Sequence, residues 1–192
     1  MNGSLTGLKI FHHKFGLALD RIFQTTALNY YRRYDLSQSE QAIVAQCVAD
    51  LEVIIEQEGP DTIAAFIGEQ ALGTGGLVPP PKGYWPAIQA VLEKYDKLLV
   101  ADVVVTGYGR LCSMFGREYY SMKPDLITIA KGLMTADAPL FESIGSKRMW
   151  KVLENGTQEF GPFGHSWTYY TPRIGAAAGV ANLNLLEDLK LI

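Results

Sequence analysis

Two residues of opposite charge interrupt apolar runs that have no packing use for them. Lys131 closes the run "LITIA" and is followed by Gly132, while Asp102 stands inside "LLVADVVV", residues Leu98–Val105. A lysine amine in an apolar pocket has a lowered pKa, which makes it a nucleophile able to form a Schiff base with a carbonyl compound. A carboxylate beside a pyridine nitrogen keeps that nitrogen protonated, so the ring can accept electrons. The pair therefore supplies the two protein groups that chemistry on pyridoxal 5'-phosphate requires. Each has a plainer reading as well. Lys131 can snorkel to solvent from a strand terminus, and Asp102 can be a buried acid satisfied by backbone amides or a helix N-terminus.

The elements that must position these groups are visible in the hydrophobic pattern. Ser37 and Glu40 form a capping box that opens a helix, and Val44, Cys47, Val48, Leu51 and Ile55 recur down its apolar face until Gly59 and Pro60 stop it. "TIAAFIGE", Thr62–Glu69, reads as a buried strand, and "ALGTGGLVPPPKG" as a long loop. Pro86 sits in the first turn of a second helix carrying Ile88, Val91, Leu92 and Tyr95 on one face. Then come the strands "LLVADVVV" and "DLITIAKG", and lastly "TPRIGAAAGVANLNLLEDLKLI", whose small residues suit a helix packed tightly on a neighbour. The first 36 residues, with "FHHKFG" and "NYYRRYD", read as loops with short strands. Strand, helix, strand with continuous apolar strands predicts an α/β fold, a mainly parallel sheet covered by helices on both faces. Functional groups in such sheets gather at the carboxyl ends of the strands. Glu69, Asp102 and Lys131 each stand at or near such an end.

Composition narrows the partners. The chain has 192 residues, 48% hydrophobic and 19% charged, which fits one ordinary globular domain. Seventeen basic and twenty acidic residues give a net charge of −3, so no global positive field attracts nucleic acid or an anionic membrane. Cys47 and Cys112 are far apart in sequence and read as free thiols of a reducing compartment. No signal-peptide pattern or membrane-length apolar run occurs, so a cytoplasmic location is expected. His12 and His13 are adjacent and poorly placed to share one ion, and His165 lies in a loop, so no metal site is expected. "GTGG" and "GYGR" match neither a dinucleotide nor a P-loop pattern and read as loop geometry.

Four segments, "TIAAFIGEQALGTGGLVPPPKGYWPAIQAV", "LLVADVVVTGYGRLCSMFG", "KPDLITIAKGL" and "GHSWTYYTPRIGAAAGVANLNLLE", resemble in order and spacing the class III pyridoxal-phosphate-dependent aminotransferases, the group of ω-amino acid and amine:pyruvate transaminases. The likeness runs from about Ser4 to the end. It implies a partial, cofactor-binding large domain of the fold type I transferases across residues 1–192, without the family's N-terminal segment and C-terminal small domain. It implies transamination from an amine or ω-amino acid to a keto acid such as pyruvate through a Lys131 aldimine. It assigns Asp102 to the pyridine nitrogen, Val104 to a face of the cofactor ring, Thr168 to the cofactor phosphate of a neighbouring subunit, and Glu69 to the periphery of the active site. The expected partners are small-molecule amines and keto acids, and a second copy or a full-length relative in a dimer.

The chain also departs from the family pattern. Val103 replaces an acid next to Asp102, and Gln70 replaces the proline of a "GEP" turn. Asp137 and Glu142 add charges in a region expected to be packed, where an unpaired buried charge costs several kcal/mol. Pro172 stands one place early, where it is expected to disturb the start of the last helix. These departures raise a second expectation, a truncated non-catalytic remnant or a binding subunit of a full-length aminotransferase.

Overall fold

The computed structural model describes residues 2–192 apart from 34, 137, 166–169 and 171. They form two compact units, one of residues up to Ile67 with Ala71–Lys97, the other of Gly68–Gln70 with Leu98–Ile192.

The first unit is built on two helices. Helix α1 spans Glu40–Glu58 and buries Ile43, Cys47, Leu51 and Ile55. Its cap is Ser39, whose side chain accepts from the Ala42 amide, and not Ser37. Ser37 is held outside the helix because both its amide and its hydroxyl donate to Asp35. Ile43 joins Cys47, Leu51 and Ile55 on the buried face, while Val44 and Val48 are half-buried. Gly59, at φ 91°, ends the helix as expected. Helix α2, Tyr84–Lys94, buries Tyr84, Trp85, Ile88, Val91 and Leu92. Trp85, 1% exposed, meets Phe66 and Tyr84 edge to face at ring separations of 6.3 and 5.1 Å. Tyr95 caps α2, and its hydroxyl donates to Glu56 of α1 at 2.6 Å. Before α1 the described residues contain turns and two short 3-10 helices, Asn2–Ser4 and Lys9–Phe11, and no strand. The "NYYRRYD" cluster closes on itself, with the Arg33 guanidinium 4.0 Å from the Tyr30 ring centroid and donating to the Tyr30 and Leu36 carbonyls.

Four strands make one sheet in the order β1-β2-β3-β4: β1 Ala65–Glu69, β2 Leu98–Asp102, β3 Leu126–Ile129 and β4 Glu142–Gly145. β2 and β3 run parallel with Asp102 opposite Thr128. β4 returns antiparallel, with Ile129 opposite Glu142. The Gln70 amide donates to the Asp102 carbonyl at 3.4 Å, so β1 and β2 end side by side. Leu99, Ala101, Val103, Ile127 and Ile129 are buried, whereas the residues between them, Asp102 among these, are half-buried. The strands thus alternate instead of being equally covered on both faces. β4 is exposed at all four residues, so Glu142 carries no burial cost, while Asp137 lies outside the described residues.

Asp125 ties the start of this layer together. Its amide donates to the Leu99 carbonyl, its side chain accepts from the Leu99 amide, and its carbonyl accepts from Ser146. Ser146 in turn caps helix α3, Lys147–Phe160, none of whose residues is buried. Helix α4, Arg173–Asp188, begins directly after Pro172, whose fixed φ of −69° suits the cap position and whose carbonyl accepts from Ala176. The early proline therefore starts the helix and does not disturb it. α4 packs closely through Gly175 and Gly179: a Cβ at Gly179 would lie 3.2 Å from Leu140 Cδ2. Among the described residues, no helix is long and apolar enough to cross a membrane.

Candidate active site

Glu69, Asp102, Val104 and Lys131 all belong to the second unit, at the carboxyl ends of β1, β2 and β3. Thr168 lies outside the described residues. Asp102 is the last residue of β2 and points to the half-buried face. One of its oxygens, Oδ1, accepts from the Val104 amide at 2.9 Å. This short side-chain-to-backbone bond turns the chain out of the strand and explains why β2 stops at Asp102 instead of running to Val105. A carboxylate has about four lone-pair sites. The Val104 bond therefore orients the acid without saturating it, and a backbone amide satisfies one oxygen of the half-buried carboxylate.

Val103, beside it, is 0% exposed and donates its amide to the Thr128 carbonyl at 2.9 Å. An acid at that position would be buried against Gly107, whose added Cβ would lie 3.3 Å from Val103 Cγ1. Valine removes a desolvation cost. Val104 is half-buried in the turn that follows.

Lys131 lies two residues beyond the end of β3 and opens a 3-10 turn, Lys131–Leu133. It is exposed, and its φ of 45° is in the left-handed region. Burial in an apolar pocket is not supplied by the described residues of this chain. Asp102 pairs in register with Thr128, three residues before Lys131 on the neighbouring strand. At about 3.3 Å per residue and about 4.8 Å between strands, their Cα atoms are on the order of 10 Å apart. A lysine side chain can cover much of that distance. An exposed amine and an incompletely bonded carboxylate at adjacent strand ends fit a ligand with an aldehyde at one end and a basic ring nitrogen at the other.

Sequence reasoning missed the residues that hold these groups in place. Tyr108 packs over Gly132, where an added Cβ would come within 3.0 Å of Tyr108 Cβ. Burial, with the Glu142 carboxylate adding to it, pushes the Tyr108 phenol up to about 12. Gln70 is fully buried beside Glu69, and its Oε1 accepts from the Thr106 hydroxyl. Asn182, on α4, donates to the carbonyls of Gly132 and Leu133. A polar residue inside the small and apolar run "GVANLNLL" was a usable signal for Asn182. The glycine-rich turns, by contrast, are loop geometry as expected: Gly76 takes φ 119° and Gly109 takes φ 86° in tight turns.

The family model "Aminotransferase class-III" matches residues 4–192. The chain belongs to the class III aminotransferases. This aminotransferase chain is 56% identical over 188 residues to a diaminobutyrate–2-oxoglutarate transaminase of Halomonas elongata, a match that covers 97% of the chain and 40% of that relative. It superposes with a TM-score of 0.94 on a transaminase solved in work on directed evolution by ancestral reconstruction, at 54% identity, over 99% of this chain and 41% of the other. An omega transaminase from Pseudomonas jessenii, solved in complex with PMP, gives a TM-score of 0.93 at 34% identity, over 98% of this chain and 42% of that one. The aminotransferase chain thus spans about two fifths of the length of these relatives. Its mainly parallel sheet and flanking helices form part of the fold these transaminases share.

Proposed function

We propose that this chain carries the cofactor-binding centre of a pyridoxal-phosphate-dependent transaminase that moves an amino group from an amine or ω-amino acid to a keto acid. The placement of Lys131 and Asp102 at the carboxyl ends of adjacent parallel strands carries the reading. Family membership supports the cofactor, and the diaminobutyrate and 2-oxoglutarate in the name of the Halomonas relative support an ω-amino donor and a keto-acid acceptor.

Lys131 Nζ is the group that would hold pyridoxal phosphate covalently through its aldehyde carbon, and Asp102 the group that would hold its ring nitrogen. When bound, the cofactor supplies an electron sink for the bond broken at the amino-bearing carbon. Lys131, exposed at the start of its turn, would hold the cofactor and, once freed, would hold a proton at Nζ as a general acid and base. Asp102, fixed through Oδ1 by the Val104 amide, keeps its negative charge aimed from the half-buried face and so holds a proton on the ring nitrogen. Val104 offers an apolar surface to the ring. Glu69 borders the site beside Gln70, and Thr168 is assigned to the phosphate held by a second copy of the chain in a dimer.

The test is addition of pyridoxal phosphate to the full chain, followed by borohydride reduction and peptide mass mapping. A visible band near the cofactor's bound form, trapped on Lys131 and lost in Lys131→Ala, is expected. A band that is absent, or unchanged in that variant, removes Lys131 from the role.

A further inference from the structure

The turn that presents Lys131 is an unfavourable one. Ala130 is fully extended, at φ −164° and ψ −150°, and Lys131 then reverses to φ 45°. Thr135 and Ala136, shortly after, also take positive φ, at 61° and 70°. A single 3-10 turn of three residues closes through Leu133 N–H to the Ala130 carbonyl and Met134 N–H to the Lys131 carbonyl, at 3.1 and 3.3 Å. Short 3-10 segments hold their geometry poorly, and residues in sparsely populated backbone regions persist only when their surroundings over-determine them.

The surroundings here come from α4 and from Tyr108. Asn182 Nδ2 donates to the Gly132 carbonyl at 2.8 Å and to the Leu133 carbonyl at 3.0 Å, so one carboxamide nitrogen grips both carbonyls that follow Lys131. Gly179, one helical turn earlier, packs tightly on Leu140, where an added Cβ would lie 3.2 Å from Cδ2, and faces the Leu133 carbonyl oxygen, from which the same Cβ would stand at an ordinary contact distance of 3.7 Å. Tyr108 closes over Gly132. An amide with two N–H groups is suited to this grip. A hydroxyl has one donor, and a carboxylate has none.

We infer that Asn182 is a positioning residue for Lys131, clamping from α4 the turn that aims the Lys131 amine at the site it shares with Asp102. The inference rests on the reading of Lys131 as the residue that holds pyridoxal phosphate. Leucine at position 182 keeps the volume and loses both donors.

The experiment compares the full wild-type chain with Asn182→Leu. Amide hydrogen exchange is measured at Leu133 and Met134, with Val103 as the sheet control, and pyridoxal phosphate is titrated with borohydride trapping on Lys131. In Asn182→Leu, exchange at Leu133 and Met134 rises about tenfold while Val103 is unchanged, and the cofactor concentration for half-maximal trapping rises about tenfold. Unchanged exchange, or faster exchange with unchanged trapping, overturns the inference. If Asn182→Leu is insoluble, Asn182→Ala gives the same two readouts, with the same outcomes deciding. Failure of the wild-type chain to trap cofactor on Lys131 overturns the functional reading and this inference with it. Normal trapping in both wild type and variant overturns this inference alone.

Discussion

Replacing Lys131 by glycine and by alanine separates the chemistry of the residue from the cost of its backbone. Both substitutions remove the amine, so neither variant can gain stability from a covalently held cofactor. Lys131 is exposed, so neither loses buried packing. They differ in how they bear a φ of 45°. The left-handed region costs an L-residue roughly 1–2 kcal/mol, a cost that glycine escapes. Glycine brings a more flexible unfolded chain, which costs roughly 0.5–1 kcal/mol. The difference leaves Lys131→Gly more stable than Lys131→Ala by about 0.5–1 kcal/mol. At a position with ordinary negative φ the order would reverse by a similar amount. With a urea slope of roughly 2 kcal/mol/M, the glycine variant should unfold at a midpoint about 0.25–0.5 M higher. Equilibrium urea denaturation followed by far-ultraviolet circular dichroism, with the two variants side by side, makes the comparison. An alanine midpoint equal to or above that of glycine would refute the claim that the site stores strain at its lysine.

Three further outcomes follow from the same geometry. Asp102→Asn keeps an oxygen able to accept from the Val104 amide, so the urea midpoint stays close to that of wild type. Because the charge is lost, single-turnover amino transfer should slow by roughly 10- to 1,000-fold, the range that corresponds to a carboxylate partner's effect on a pKa. Ser39→Ala should cost about 1 kcal/mol as a lost helix cap, whereas Ser37→Ala should stay within about 0.5 kcal/mol, and urea melts of the two variants decide which serine starts α1. The Tyr108 phenol, raised from 10.0 to about 12 by burial and then by Glu142, stays neutral in the folded chain after the unfolded chain has ionised. Its contribution to stability is complete below about pH 10 and is lost as the pH rises through about 12. Tyr108→Phe should flatten the fall of the urea midpoint across that window.

How much of this was legible depended on whether a residue's role is set by its neighbours in sequence. The strands around Asp102 and before Lys131, and the helices α1, α2 and α4, announced themselves through runs and periods that burial then used. The cap of α1 slipped by two residues because Ser37 and Ser39 are equally good caps in isolation, and only Asp35 decides between them. β4 left no signal because an exposed four-residue edge strand carries no hydrophobic record, whereas α3 was passed over although Met149 and Leu153, half-buried one turn apart, mark an apolar stripe along it. The short strands expected in the first 36 residues were read from aromatic content, which in the described residues serves local contacts such as Arg33 on Tyr30. Lys131 and Asp102 were found because their charges break apolar runs. Asn182 acts across 49 to 50 residues of sequence: its polarity within the run "GVANLNLL" marks it, but no local pattern names the carbonyls it reaches.

The two departures nearest Asp102 are of opposite kinds, and the second can be tested by crowding it. Val103 takes a charge out of a buried position, whereas Gln70 puts an amide into one, fully buried and bonded to the Thr106 hydroxyl. That exchange is possible because residue 116 is glycine. An added Cβ there would overlap Gln70 Oε1 and lie 2.9 Å from Thr106 Cβ and 3.0 Å from Leu111 Cδ1. Gln70 has no solvent to swing into, so Gly116→Ala must either strain the packing or break the Thr106 bond. Overpacking and a lost buried hydrogen bond together set the cost at about 2–4 kcal/mol. Because the Gln70 backbone N–H also donates to the Asp102 carbonyl, the disturbance is delivered to the edge that carries the site. Removing the obstructed side chain in Gln70→Ala/Gly116→Ala should recover at least about 1 kcal/mol of that loss, a coupling expected only of residues in contact. Urea melts of the single and double variants measure it. If the two losses simply add, glycine at 116 does not make room for Gln70, and the turn after Glu69 tolerates its glutamine for some other reason.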